Sequence, residues 1–414
     1  MSVDRSRLAK NTIYQYILQA MKYLFPFVTV AYLTRTLGPD VFAIRAYIMA
    51  AMTFMLMFLE YGFTNYGTKT IAEATSLLEE RIETSAITLL RGVLAIVGAI
   101  ALIPITLALP LMAANPAYVA IAYLGTCCKA FLPDYVFRGQ EDMGIITYRY
   151  VASQIVAVGL IFIFVRGPED ILLVAIFEAL GALVALLWSW ENVIRKRSIT
   201  FIRVAAERLK SAFTESTIFF ISHVATGILS SITMLFVGYF ITDAAQVSYW
   251  SIAMTAVVAV QALYSPVSNS LYPHMVKRRD FAIVRKLMAI GMPVVIVGTI
   301  AFALLSDIVM LVLGGEEFLP GAYLIAYVSP ILTFSFPAVM LGFPVLAAVG
   351  WVRPLTVTSV ASCVFQVAGL VALVFTSNFT IENVAILRCG SEAVLCFTRV
   401  FFVFLYHHKS GSES

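Results

Sequence analysis

Long apolar stretches broken by short charged clusters set the pattern of this chain. Charge-free runs extend from Gly92 to Cys128, Ser216 to Thr242, Ala244 to Val276, Phe318 to Val352 and Pro354 to Ile381, and each is long enough to cross hydrocarbon as a helix. The runs do not alternate apolar with polar residues, so they are not the strands of a closed barrel. Pro/Gly turns and charge clusters divide the pattern into predicted helices over 11–34, 41–63, 86–109, 112–135, 143–165 and 171–192. A second six follow over 214–241, 246–273, 285–313, 321–349, 353–376 and 382–406. The expected fold is an all-α integral membrane protein of about twelve transmembrane helices. Its domains are an N-terminal six-helix lobe (1–194), a basic cytoplasmic linker (195–213) and a C-terminal six-helix lobe (214–414).

Composition agrees with this reading. Of the 414 residues, 61% are hydrophobic and 13% charged. The mean hydropathy of +0.91 excludes a water-facing globule. The first apolar stretch follows Arg5, Arg7 and Lys10, is too long for a signal-peptide core, and reads as a retained first helix. Assigning the 28 Lys and Arg residues to alternate sides of the helix map puts 19 on one side, two (Arg35 and Arg166) on the other and seven inside the membrane. Both termini are therefore expected in the cytoplasm. The connections are too short to house an extramembrane enzyme. The basic segment RKRSITFIRVAAERLKSAF serves as a topology signal or lies on the anionic leaflet.

Seven cations fall within predicted helices: Lys22, Arg45, Arg91, Lys129, Arg149, Arg388 and Arg399. Each costs about 2.5–3.5 kcal/mol at the bilayer centre on the insertion scale, so each needs a partner, a wet cavity or a route to the headgroups. Five of them lie in the first five helices, which suits an anionic substrate in the N-terminal lobe. Arg45, Arg91, Lys129 and Arg149 stand near predicted helix ends and also fit a snorkelling role. Lys22 lies midway along its helix and ranks first as a cation facing a cavity. Arg388 and Glu392, four residues apart, are expected to neutralise each other. Among the intramembrane acids Glu60, Asp134, Glu178 and Glu392, Glu178 and Glu60 are candidate coupling-ion sites, and an ion pair with another helix is the alternative for Glu178. Pro330, Pro337 and Pro344 on one predicted helix imply kinks.

No catalytic residue is expected: the chain carries no nucleophile elbow, no phosphate-binding glycine loop and no paired catalytic carboxylates. The five cysteines and the histidines His223, His274, His407 and His408 follow no metal-ligand spacing, so neither metal nor cofactor is predicted. No nucleic-acid module is visible. A weak echo of TIYQYI (from Thr12) in TIFFIS (from Thr217), and of VASQIVAVGLIFIF in VASCVFQVAGLVALVF, is consistent with two parallel lobes.

Asn11 before an apolar helix, YLTRTLGPDVFA from Tyr32, LEYGFTNYGTKTIAE from Leu59 and YVFRGQEDMG from Tyr135 together resemble the polysaccharide (O-antigen or capsule type) flippases of the multidrug/oligosaccharidyl-lipid/polysaccharide (MOP) exporter superfamily. Phe42-Ala43 stands where a Tyr-Gly pair is usual, and Glu60 where Asp is expected. The resemblance implies a MATE-like fold of two six-helix lobes in a V, opening alternately to each side. It implies a flippase that moves a polyprenyl-pyrophosphate-linked oligosaccharide to the outer leaflet of the inner membrane. Lys22, Arg45, Arg91, Lys129 and Arg149 would then bind the pyrophosphate, and Gln15, Tyr16 and Tyr148 the sugars. Implied partners are the bilayer, a polysaccharide polymerase and glycosyltransferases. A multidrug or cation antiporter of the same superfamily and a membrane-embedded polymerase or glycosyltransferase are the rival readings. The first would favour acidic and aromatic cavity residues, and the second an external loop or an acidic motif.

Overall fold

The computed structural model describes residues 2–412, with side chains except those of 2–10, 12, 218, 221–230, 269, 273, 277–278, 352 and 407–412. The side chains of His223, His407 and His408, and the residues at both extreme termini, lie outside the described set. Among the described residues all the regular secondary structure is helical. Its first half comprises α1 (Ser2–Glu60), α2 (Phe63–Glu73), α3 (Leu77–Ala108), α4 (Pro110–Ala113), α5 (Pro116–Ala130), α6 (Asp134–Gly139), α7 (Met143–Phe164) and α8 (Ile171–Glu191). Then follow α9 (Ala206–Phe240), α10 (Ala244–Gln261), α11 (Ser265–Arg278), α12 (Phe281–Leu304), α13 (Ser306–Leu313), α14 (Ala322–Val328), α15 (Pro330–Leu341), α16 (Val352–Phe375) and α17 (Ile381–Ser412).

Nine helical stretches among the described residues are long and apolar enough to span a membrane. Local chemistry accounts for two of the three differences from the twelve expected, and the third falls on the seventh predicted helix, whose apolar stretch among the described residues is Ser231–Phe240. The first two predicted helices form one run, Ile13–Glu73, whose helical path breaks at Gly38 (φ 71, ψ 172) and again at Tyr61-Gly62, where α1 gives way to α2. The backbone conformation at Gly38 needs a residue without Cβ, and Pro39 follows it, so the Leu-Gly-Pro turn becomes a kink. The fourth predicted helix is cut short: α5 ends at Ala130 before Leu132-Pro133, and α6 starts afresh at Asp134. The three prolines of the tenth divide it as their chemistry requires. Pro330 opens α15, Pro337 sits inside it, and Pro344 lies in a π turn over Gly342–Ala347 that closes it.

The chain divides into two compact units, Met1–Leu37 with Ile44–Gly227, and Gly38–Ala43 with Ile228–Ser414. In the first, α5 and α7 both pack on α8, and α2 packs on α6 and α3. Gly181 of α8 permits a close approach to α7, since a Cβ there would lie 2.7 Å from the Ala157 methyl and 2.9 Å from the Ser153 carbonyl. In the second unit α17 packs on α15 and α16, and a buried cluster of Tyr264, Leu271, Met275, Val284, Phe336 and Met340 joins α11 and α12 to α15. Large apolar side chains remain exposed on both units, Leu107, Leu304 and Phe375 among them, as hydrocarbon solvent allows.

The basic segment after α8 is not a free tether. Between a π turn (Asn192–Lys196) and α9, residues 198–205 run without regular structure along the first unit. Arg81 donates two hydrogen bonds to the Ser198 carbonyl, at 3.0 and 2.7 Å. The Ile202 amide donates to Ser85 Oγ at 3.0 Å. Arg197 pairs with Asp142 at 2.6 Å and lies over the Phe137 ring. Arg208 pairs with Glu83, a buried carboxylate that also accepts from the Tyr66 hydroxyl at 3.0 Å.

Candidate functional site

A cavity of about 650 Å³ lies within the first unit. Its walls come from both halves of α1 (Leu18, Lys22, Pro26, Thr29, then Arg45, Met49, Leu56, Glu60), from α2 (Thr64, Asn65), and from the α5–α6 junction (Lys129, Leu132, Asp134, Arg138). The remaining wall is α7 and α8, from Ile146 to Ile161 and from Glu178 to Ala185. The Gly38 kink lets two distant stretches of α1 contribute, and the interruption of α5 turns Asp134 and Arg138 inward on a short helix of their own. Five cations face three carboxylates here. The volume falls in the range usual for small-molecule sites.

The charges are of two kinds. Arg45 is paired with Glu178, 133 residues away, with Nη2 2.5 Å from Oε1. Arg149 is paired with Asp134 at 2.9 Å and donates to Ser189 Oγ at 3.1 Å. Both arginines are largely withdrawn from solvent, so each pairing offsets a desolvation cost. By contrast, Lys22, Lys129 and Arg138 have no salt bridge or side-chain hydrogen bond among the described residues. Lys22 is exposed to the cavity, and the charges acting on it are Arg138, Asp134, Arg149 and Glu60.

Of the residues singled out from the sequence, Lys22, Arg45, Glu60, Lys129, Arg149 and Glu178 are brought together around this one space. Arg91 stands behind the wall instead. It is only 2% exposed, donating to the Leu132 carbonyl at 2.9 Å and to Thr64 Oγ1 at 3.2 Å, with its guanidinium over the Tyr135 ring. The end of α5 explains this position. A helix that stops inside the protein leaves carbonyls without partners. Arg91 satisfies that of Leu132, and Trp190 Nε1 satisfies that of Phe131 at 3.1 Å. Gln15, Tyr16 and Tyr148 are exposed but are not among the cavity-lining residues, and the Tyr148 hydroxyl shares a 2.9 Å hydrogen bond with that of Tyr14.

Arg138 was not among the sequence candidates, because it falls in a charged turn that reads as a connection between helices. The available signal was its i, i+4 spacing from Asp134 immediately after a proline, which places both residues on one face of a new helix. Polar cavity residues Asn65, Tyr150 and Gln154 also went unread. In the second unit, Arg388 and Glu392 are joined at 2.7 Å. Arg399 donates to the Ala338 carbonyl at 2.5 Å and to Ser359 Oγ at 3.1 Å, next to the π turn. Among the described residues no group of three or more His, Cys, Asp or Glu side chains is arranged to hold a metal ion.

Comparison with known proteins adds to this geometry. The family model described as polysaccharide biosynthesis protein matches residues 8–278. A putative O-antigen transporter of Escherichia coli (strain K12) is 28% identical over 276 residues, which is 66% of this chain and 66% of the relative's own length, just under two thirds. Among solved structures, an inward-facing multidrug resistance MATE family transporter of the MOP superfamily superposes with a TM-score of 0.76 at 14% identity, covering 97% of this chain and 99% of the other. The lipid II flippase MurJ in an inward closed conformation also gives 0.76, at 11% identity, covering 95% and 87%.

Proposed function

This chain belongs to the polysaccharide biosynthesis protein family, and on that footing we propose that it is a flippase. It carries a polyprenyl-pyrophosphate-linked oligosaccharide, an O-antigen, capsule or exopolysaccharide unit, from the cytoplasmic to the outer leaflet of the inner membrane by alternating access. The observation that carries this reading is the cavity of the first unit, polar and net positive inside an otherwise apolar membrane protein. Sugar hydroxyls and a pyrophosphate cannot cross hydrocarbon bare, whereas a polyprenyl tail is soluble in it. A wet, cation-lined cavity takes up the polar head while the tail stays in lipid. The excess of cations argues against a cation exporter of the same superfamily, whose cargo would be repelled.

In a host lacking its own flippase for the same glycan, Lys22→Ala is expected to abolish export at unchanged protein abundance, and Lys22→Arg to keep part of it. Normal export by Lys22→Ala, or a cysteine at 22 that no water-soluble thiol reagent can reach, would sink the reading. Both termini are proposed to be cytoplasmic, supported by the 19-to-two division of basic residues. Reporters fused after Ser414 and in the Asp243–Val247 loop should report opposite sides, and the same side for both would refute that topology.

A further inference from the structure

The cavity's five cations are unequal, and the difference bears on where the cargo's charge sits. Arg45 and Arg149 are each committed to a carboxylate and held in the wall. For either to grip an incoming anion it would have to leave Glu178 or Asp134 behind as an uncompensated charge in a site of low dielectric. Lys22, Lys129 and Arg138 carry no such commitment. Resting on the flippase reading, we propose that these three hold the pyrophosphate of the lipid-linked cargo, and that Arg45 and Arg149 are positioning residues that fix α1 and α7 around it.

Three observations carry the assignment. Lys22, Lys129 and Arg138 line one cavity although they come from three different elements, so their charges converge on a single space. Lys22 and Arg138 are like charges that face the same cavity. Like charges that share one cavity repel, and an anion between them relieves the repulsion. The count also fits: with the two pairs neutral, three cations less the charge of Glu60 leave an excess of two. A pyrophosphate diester, ionised once at each phosphoryl group, carries two negative charges, and a monophosphate diester carries one. The types of side chain suit the same task, since the Arg138 guanidinium can bind two phosphate oxygens as a fork while the lysines act as mobile point charges.

The test is binding by the purified full-length protein in phosphatidylcholine nanodiscs, whose surface is uncharged overall, with two diesters as probes, farnesyl pyrophosphoryl glucose and farnesyl phosphoryl glucose. Wild type should bind the pyrophosphate more tightly than the monophosphate. Arg138→Gln, Lys129→Gln and Lys22→Gln should each weaken pyrophosphate binding by about tenfold or more, as expected for loss of a charge-assisted contact, and should narrow the preference over monophosphate. Arg138→Lys should recover part of the loss. The neutral pair Arg45→Gln with Glu178→Gln should weaken binding of both probes alike and keep the wild-type preference for pyrophosphate over monophosphate, because it loosens the wall without changing the cavity's net charge. Thermal melts of each variant separate loss of binding from loss of fold. Wild-type-like affinity and preference in Arg138→Gln would overturn the assignment alone, as would a neutral pair that narrows the preference as the three single variants do. Failure of the wild type to bind the pyrophosphate probe would overturn the flippase reading as well.

Discussion

Arg388 and Glu392 of α17 test how a membrane protein of this kind tolerates charge outside its cavity. Their side chains are 7% and 8% exposed, the N–O distance is 2.7 Å, and the Arg388 Nε and Nη1 atoms find no hydrogen-bond partner among the described residues. Glu392→Ala strands a guanidinium that already lacks two hydrogen bonds. Breaking a buried pair from one side costs about 3–5 kcal/mol, because the remaining charge keeps its desolvation penalty and loses its compensation. Replacing both residues by methionine removes the charges together with the unsatisfied donors, and is expected to be neutral or to stabilise by about 1–4 kcal/mol. Unfolding the purified wild type, Glu392→Ala, Arg388→Met, Glu392→Met and the double methionine variant in a denaturing-detergent titration measures these costs, and the methionine set with wild type gives the double-mutant cycle and its coupling term. A loss below about 1 kcal/mol for Glu392→Ala, or a double variant as unstable as the single, would show that the pair is hydrated, and the desolvation argument would fall.

Two further outcomes follow from single side chains. Arg91→Leu removes the donors to Leu132 and Thr64 and the contact with Tyr135, a loss of roughly 2–4 kcal/mol that should lower abundance on immunoblots while export per molecule is unchanged; reduced export per molecule would place Arg91 in transport itself. At the start of α12 the Asp280 carboxyl accepts from the Ile283 and Ala282 amides, and these bonds hold it below its usual range. A depressed folded-state value means that the cap contributes fully above the ordinary carboxylate pKa of about 3.9 and is lost as the pH falls through the lowered one. The first-turn amides of α12 should therefore exchange hydrogen faster in Asp280→Ala than in wild type at neutral pH, with the difference vanishing in strong acid; a difference undiminished there would refute the cap.

Much of the architecture was legible because hydrocarbon imposes a simple rule on sequence: long apolar runs become helices, and charges within them must be accounted for. Local chemistry was readable too, as at Gly38-Pro39 and Pro330, where backbone constraints belong to single residues. What escaped was pairing over distance. Nothing near Glu178 in sequence identifies Arg45 as its partner, because helix periodicity says which face a residue occupies and not which helix that face meets. Arg91 misled for the same reason. Its charge fitted a cavity role, yet its partner is a backbone carbonyl exposed by a break 41 residues away, and carbonyls carry no sequence identity. Arg138 was hidden by the opposite error, since a charged turn in an apolar chain looks like a water-facing connection even when a short helix folds it inward.

The strap formed by residues 198–205 also bears on how the chain can be cut and joined. A charged, helix-poor stretch midway between two sets of apolar helices looks like the natural place for a protease site, a purification tag or a gene split. Yet its backbone is bonded to Arg81 and Ser85, and the pairs that Arg197 and Arg208 make with Asp142 and Glu83 secure its two ends to the same body. An N-terminal fragment ending at 196 would lose a segment bonded to its own helices and leave Glu83 buried without the Arg208 cation. Complementary fragments are better divided after Arg208, so that the strap travels with the half of the protein that it completes.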